Sequence, residues 1–293
     1  MKKKQILLEN AYEAWSDAVT FEFLLRDGIS TLGYKKRFVT SLHNAVELFL
    51  KQIMLDNNDY RVAKINKLSS ANGEPLKSFL ESEDLNTYFS SISRDDRKSF
   101  FTIDFSDLID ICKKDKLINI DSSALKVLNE LRNNETHFYI TGSDYLSDSE
   151  FCTLHNFMVD FFEEIRKKDL MFASFDGSMS PGDLFFDGKR IETFCFSSAI
   201  KRSNVVKKIR SCLYQKVYQG YPTDSALDFT WTIWDMIKNE DEIYSFERTV
   251  AYIESLFAAN AISFSVIFEE IPEELGGGEV PAGCEIGIKV LNI

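Results

Sequence analysis

The chain has 293 residues and is 44% apolar, 27% charged and 13% aromatic, a globular composition that excludes a disordered, collagenous or disulfide-scaffold protein. Lys and Arg number 34 against 46 Asp and Glu, and the resulting net charge of -12 argues against a protein that coats nucleic acid non-specifically. The five cysteines (Cys112, Cys152, Cys195, Cys212, Cys284) are widely spaced, with no Cys-x-x-Cys pair and no short Cys/His array, so no zinc or other metal site is expected and a reduced, cytoplasmic protein is. Met1-Lys2-Lys3-Lys4 resembles the basic start of a signal peptide, but the apolar run that follows stops at Glu9. No run reaches membrane-spanning length, so no membrane partner is expected.

Residues 5–168 read as helical, because apolar residues recur at intervals of three and four and Gly and Pro are scarce. The first helix is expected from about Gln5 to Arg26, with Ala11, Trp15, Ala18 and Leu25 as its stripe and Asp27-Gly28 as its stop. The second, about Lys36 to Leu55, carries Leu42, Val46, Phe49 and Ile53 on one face and ends at Asp56-Asn57-Asn58. A polar stretch over about 56–120 reads as an insertion, with a loop from Ser69 to Pro75 and two or three short helices, of which Phe105 to Lys113 is the clearest. The third helix starts at a cap, Asp121 or Ser122, runs through Ala124, Val127, Leu128 and Leu131 to about Tyr139, and closes at Thr141-Gly142. The fourth, Ser147 to Lys168, ends in the basic turn Arg166-Lys167-Lys168, which complements the helix dipole.

After Lys168 the pattern becomes α+β. Leu184 to Ile191 places Asp187-Gly188 between strand-like runs, a hairpin signal. Asn204 to Gln219 and Asp224 to Asn260 return to helical spacing, while Ser263 to Phe268 and Glu285 to Leu291 read as strands joined by the Glu274 to Glu279 loop. Two domains are expected, 1–168 and 169–293. The acidity is uneven: 23 basic and 27 acidic residues lie in 1–168, and 11 and 19 in 169–293, so eight of the twelve net charges fall in the second part.

The stretch Leu131 to Tyr139 holds the chemistry. On a helical projection Ala124, Val127, Leu128, Leu131 and Phe138 share one arc. Asn133 and His137, four apart, share the face roughly opposite, and Arg132 sits on a shoulder between them. Read from spacing alone, this is either a polar solvated face with a histidine near the helix end or a functional site.

Arg132, Asn133 and His137, with Leu128 and Leu131 before them and Phe138-Tyr139 after, resemble the signature of the HEPN superfamily, in the Arg-x4-His-x-Tyr form of its toxins. The second helix, Ser41 to Lys51, resembles the family's second helix in its small, acidic and leucine-rich positions ending in Lys. The resemblance covers residues 5–55 and 121–168. It implies an N-terminal HEPN-type helical bundle carrying an insertion, metal-independent endoribonuclease activity without a cofactor, and a homodimer with a composite active site. In bacteria the setting it implies is a toxin–antitoxin or phage-defence system. It further implies that Tyr139 is a candidate for adenylylation by a partner nucleotidyltransferase antitoxin, the alternative being that Tyr139 packs beside Phe138. A non-catalytic HEPN module, binding nucleotide or RNA or serving as a dimeric scaffold, is the competing expectation.

Other candidates carry plainer readings beside their functional ones. His43 and Glu47, four apart, either line the same cleft or form an ordinary exposed helix pair. His155, between Leu154 and Phe157, reads as structural. Lys201, Arg202, Lys207, Lys208 and Arg210, with Tyr214 and Tyr218 beyond, either track an RNA backbone or form a solvated helix face. Trp231, Trp234 and Ile237 read as a buried stripe, and Gly276-Gly277-Gly278 as a loop with no phosphate-binding context.

Overall fold

The computed structural model describes residues 5–28, 30, 32–65, 73–137, 145–171, 184–196, 198–199, 262–272 and 277–288. Among them the chain is mainly helical: α1 (Leu8–Arg26), α2 (Leu32–Asp56), α3 (Gly73–Leu80), α4 (Leu85–Ser91), α5 (Arg94–Arg97), α6 (Phe105–Asp115), α7 (Ser122–His137) and α8 (Asp148–Lys167), with strands β1 (Ala63–Ile65), β2 (Phe100–Thr102), β3 (Ile262–Ile271) and β4 (Gly278–Ile288). The chain divides into two compact units, Met1–Glu22 with Lys35–Phe194, and Phe23–Tyr34 with Cys195–Ile293. No helix among the described residues is long and apolar enough to cross a membrane.

The long helices form where the periodicity places them and stop for identifiable reasons. Gly28, at φ 88°, adopts a left-handed turn that costs glycine nothing, and its N–H closes onto the Leu25 carbonyl at 2.9 Å. At the end of α2, Asn58 takes the same left-handed role at φ 54°, and the Asp59 N–H returns to the Met54 carbonyl at 2.8 Å. A capping box of Ser147 and Glu150 starts α8. Asp121 accepts the Ser123 N–H at 2.9 Å at the start of α7.

Ala11, Trp15, Ala18 and Leu25 of α1 are buried, as are Leu42, Val46, Phe49 and Ile53 of α2. Trp15 is the hub of the first unit. It stacks on Phe162 at 6.0 Å, meets Phe49 and Phe186 edge-on, and donates its indole N–H to the Leu184 carbonyl at 2.9 Å. On α7 the buried stripe is Ala124, Leu125, Leu128 and Leu131, with Val127 only half-buried. The helix is thus turned toward Leu125, because it packs against both α6 and α8.

The insertion contains more structure than its polarity suggests. β1 and β2 pair antiparallel with Ala63 opposite Thr102 and Ile65 opposite Phe100, strands too short to show alternation in the sequence. The expected loop to Pro75 ends early, since α3 begins at Gly73. Phe79 gathers Tyr60, Tyr88, Phe89 and Phe100 at ring distances of 5.2–5.7 Å into an aromatic cluster of its own. The insertion is tied to the long helices through buried amides. Gln52 donates to both Asp56 and Asn86 at 2.8 Å and accepts the Leu7 N–H at 3.1 Å, while Asn86 donates to Asp56 at 2.8 Å.

The hairpin expected at Leu184 to Ile191 does not form; the segment is a strap with no partner strand among the described residues. Its backbone groups are taken by side chains instead. Trp15 reaches the Leu184 carbonyl, and His155 Nε2 lies 2.8 Å from the Lys189 carbonyl. Asn156 both donates to the Ile191 carbonyl and accepts the Ile191 N–H at 2.8 Å. Gly188 allows this approach: a Cβ there would lie 2.3 Å from the Phe186 ring and 3.0 Å from the His155 ring.

In the second unit β3 and β4 form an antiparallel pair, as expected in kind, but they reach closer to each other along the chain, with Ile271 opposite Gly278. The register shifts between Ile267, opposite Gly283, and Phe268, opposite Pro281, so the irregularity coincides with the proline, which has no N–H to give a ladder. The helices expected over 204–219 and 224–260, the Trp231, Trp234 and Ile237 stripe, and Tyr214 and Tyr218 lie outside the described residues.

Candidate functional site

The α7 residues lie at the C-terminal end of that helix. Arg132 and Asn133 are exposed, and His137 is its last residue, one turn beyond Asn133. Tyr139, Thr141-Gly142 and the basic residues Lys201, Arg202, Lys207, Lys208 and Arg210 lie outside the described residues.

α2 carries a row of polar residues at one-turn intervals. His43 and Lys51 are each 4% exposed, and Glu47 between them is a quarter exposed. The expectation of an exposed His43–Glu47 pair is therefore corrected: the histidine is buried, because Phe105 at the start of α6 lays its ring 4.0 Å from the imidazole. Glu47 Oε2 stands 3.6 Å from His43 Nδ1, beyond hydrogen-bond reach, and its other oxygen accepts from the Lys51 ammonium. Among the described residues neither nitrogen of His43 has a hydrogen-bond partner, an arrangement that costs about 1–3 kcal/mol per buried polar group left unsatisfied.

The electrostatics join this row to α7. Burial drives His43 toward its neutral form; the Glu47 carboxylate and the Asn44 side chain oppose this, and the positive charges of Arg132 and Lys51 reinforce it, so the imidazole titrates at about 4. The Arg132 charge on α7 thus acts on His43 of α2 without touching it. Glu47 also lines a groove of about 430 Å³ between α1 and α2, with Asn10, Glu13, Asp17, Ser41 and Asn44. Burial raises the Asp17 carboxyl above its usual range; Arg37 opposes this and Glu13 adds to it. One side of Glu47 is therefore acidic and the other basic.

His155 takes no part in this arrangement. It is fully buried, with Nδ1 2.6 Å from the equally buried Glu22, and it links α1, α8 and the strap. Among the described residues no group of three or more His, Cys, Asp or Glu is placed to hold a metal. Two participants in the α2–α7 arrangement carried different sequence signals. Lys51 was visible as the third member of an i, i+4, i+8 row. Phe105 had none, since its contact with His43 is tertiary. Comparison of the chain with protein-family models, curated proteins and solved structures gives no match.

Proposed function

We propose that this protein is a metal-independent endoribonuclease of the HEPN type, with Arg132, Asn133 and His137 as its working residues. The observation that carries the reading is the reach of the Arg132 charge to the His43–Glu47–Lys51 row. It couples the two helices on which the resemblance rests.

The chemistry follows from the residue types. The ribose 2′-hydroxyl attacks the adjacent phosphorus as its proton is removed, the bond from phosphorus to the 5′-oxygen breaks, and that oxygen takes up a proton. The products are a 2′,3′-cyclic phosphate and a 5′-hydroxyl. The His137 imidazole suits proton transfer near neutrality. The planar guanidinium of Arg132 suits the non-bridging oxygens of the phosphorane, and Asn133 orients it. One chain supplies one Arg132 and one His137, so a homodimer builds the shared cleft. RNA approaches from the Arg132 side of Glu47, because Glu13 and Asp17 on the other side repel phosphate.

By analogy the setting is a bacterial toxin–antitoxin or phage-defence system in the cytoplasm, with Tyr139 the acceptor for an antitoxin nucleotidyltransferase. The part expected as a second domain, cut back from 169–293 to 195–293 because the strap belongs to the first unit, then serves as an accessory α+β domain for partner binding, sensing or substrate choice. An acidic groove that repels phosphate favours one second reading, a non-catalytic HEPN module that serves as a dimeric scaffold. RNA incubated in EDTA with wild type and with His137→Ala separates the two. Cleavage by the wild type, reduced about 100-fold or more in the variant, is expected; absence of cleavage by both leaves the second reading.

A further inference from the structure

His43 is a buried imidazole with no hydrogen bond of good geometry among the described residues, it feels the Arg132 charge, and the ring packed on it comes from the insertion. We propose that His43 is a phosphodiester-contacting residue of this site and that Phe105 is its roof, so that the first turn of α6 must lift before RNA reaches it. The proposal rests on the ribonuclease reading for its ligand class.

Three observations support it. With Phe105 packed on it, His43 makes no hydrogen bond of good distance and angle at either ring nitrogen and has only the Asn44 side chain acting on it, whereas a core histidine such as His155 is bonded at both nitrogens. Glu47 stands beside His43 and is paired with Lys51, and the Arg132 charge adds to them, so a phosphate oxygen arriving there meets net positive charge as well as an imidazole N–H. The imidazole is neutral, and a neutral ring offers one donor and one acceptor. Leu108, Ile109 and Cys112 anchor the rest of α6 in the core, so only the end that carries Phe105 is free to lift. Asp104 makes no side-chain cap to the start of α6, and the helix is latched near that end by exposed ion pairs of Lys64 with Asp104 and Asp107.

The test is fluorescence anisotropy of a 2′-O-methyl RNA oligonucleotide, which binds without being cleaved, against the full chain as wild type, Phe105→Ala, His43→Ala and the double variant. Removing the roof raises the fraction of open site, so Phe105→Ala is expected to bind about tenfold tighter. His43→Ala is expected to bind about tenfold weaker, and the gain from Phe105→Ala disappears in the double variant, the signature of coupled residues. Equal binding by Phe105→Ala and wild type, retention of the gain in the double variant, or no binding by any of the four overturns the proposal. Should Phe105→Ala lose its helical circular dichroism, Lys64→Met takes its place. It cuts only the surface latch, is expected to tighten binding roughly threefold, and overturns the roof if it does not. Cleavage of the all-ribose oligonucleotide is followed separately: its absence alongside the expected binding pattern removes the ribonuclease reading and leaves the roof standing, and the reverse result removes the roof alone.

Discussion

At His43 burial and the charges of Arg132 and Lys51 outweigh the Glu47 carboxylate and the Asn44 side chain, and the balance has a consequence for stability. The unfolded imidazole takes a proton near 6.5 and the folded one only near 4, so between these values the unfolded chain binds more protons. Stability therefore rises with pH across this window, is complete above it, and falls as the solution is acidified. The full difference is about 3 kcal/mol at roughly 1.4 kcal/mol per pH unit. Asp59, Asp121 and Glu164, whose hydrogen bonds hold their carboxyls low, lose stability in the same direction, but equally in wild type and in a His43 variant. Urea denaturation of wild type and His43→Phe across about pH 4 to 7 isolates the histidine. The wild-type curve should be the steeper, and parallel curves would show that His43 does not resist protonation in the fold. The one-turn spacing of His43 and Glu47 was legible in the sequence. Their burial was not, because it depends on an aromatic ring from a distant part of the chain.

The same division holds for whole elements. The four long helices were legible because a 3.6-residue period repeated over many turns is hard to imitate, and their caps, Gly28, Asn58, Asp121 and Ser147, are local chemistry. The strap at 184–191 misled because its turn residues and apolar runs suit a hairpin, whereas its carbonyls and amides are matched by Trp15, His155 and Asn156 from helices elsewhere. Gly188 serves that docking rather than a two-residue turn. Phe186, against which a new Cβ would press, is buried and packed on Trp15 and Phe162, so it has little room to yield. Gly188→Ala should cost about 1–3 kcal/mol in urea denaturation, as overpacking does. Pairing it with Phe186→Leu should recover part of that loss. A neutral Gly188→Ala would mean that the strap is not held against His155 as described.

Across the whole molecule the sign of the charge and the proposed substrate pull in opposite directions. A net -12 disfavours broad contact with RNA, yet the proposed cleft needs only a few cations: the exposed Arg132, the buried Lys51 and, in the proposed homodimer, their counterparts in a second copy. Where these cations lie was not legible from composition, since Lys51 is buried against Glu47 and the acidic α1–α2 groove stands beside it. The two arrangements predict different responses to salt. A chain that coats single-stranded RNA releases many counterions, and its binding constant falls steeply on a log–log plot. A cleft that engages two to four phosphates gives a slope of roughly -1 to -3, at about 0.7 per phosphate. Anisotropy titrations of the 2′-O-methyl oligonucleotide at rising potassium chloride measure this slope directly. Arg132→Gln should make it shallower by about one phosphate's share, or by about two in a dimer that binds one strand across its axis. A steep slope that Arg132→Gln leaves unchanged would place the RNA contacts away from α7 and remove the local cleft from the account.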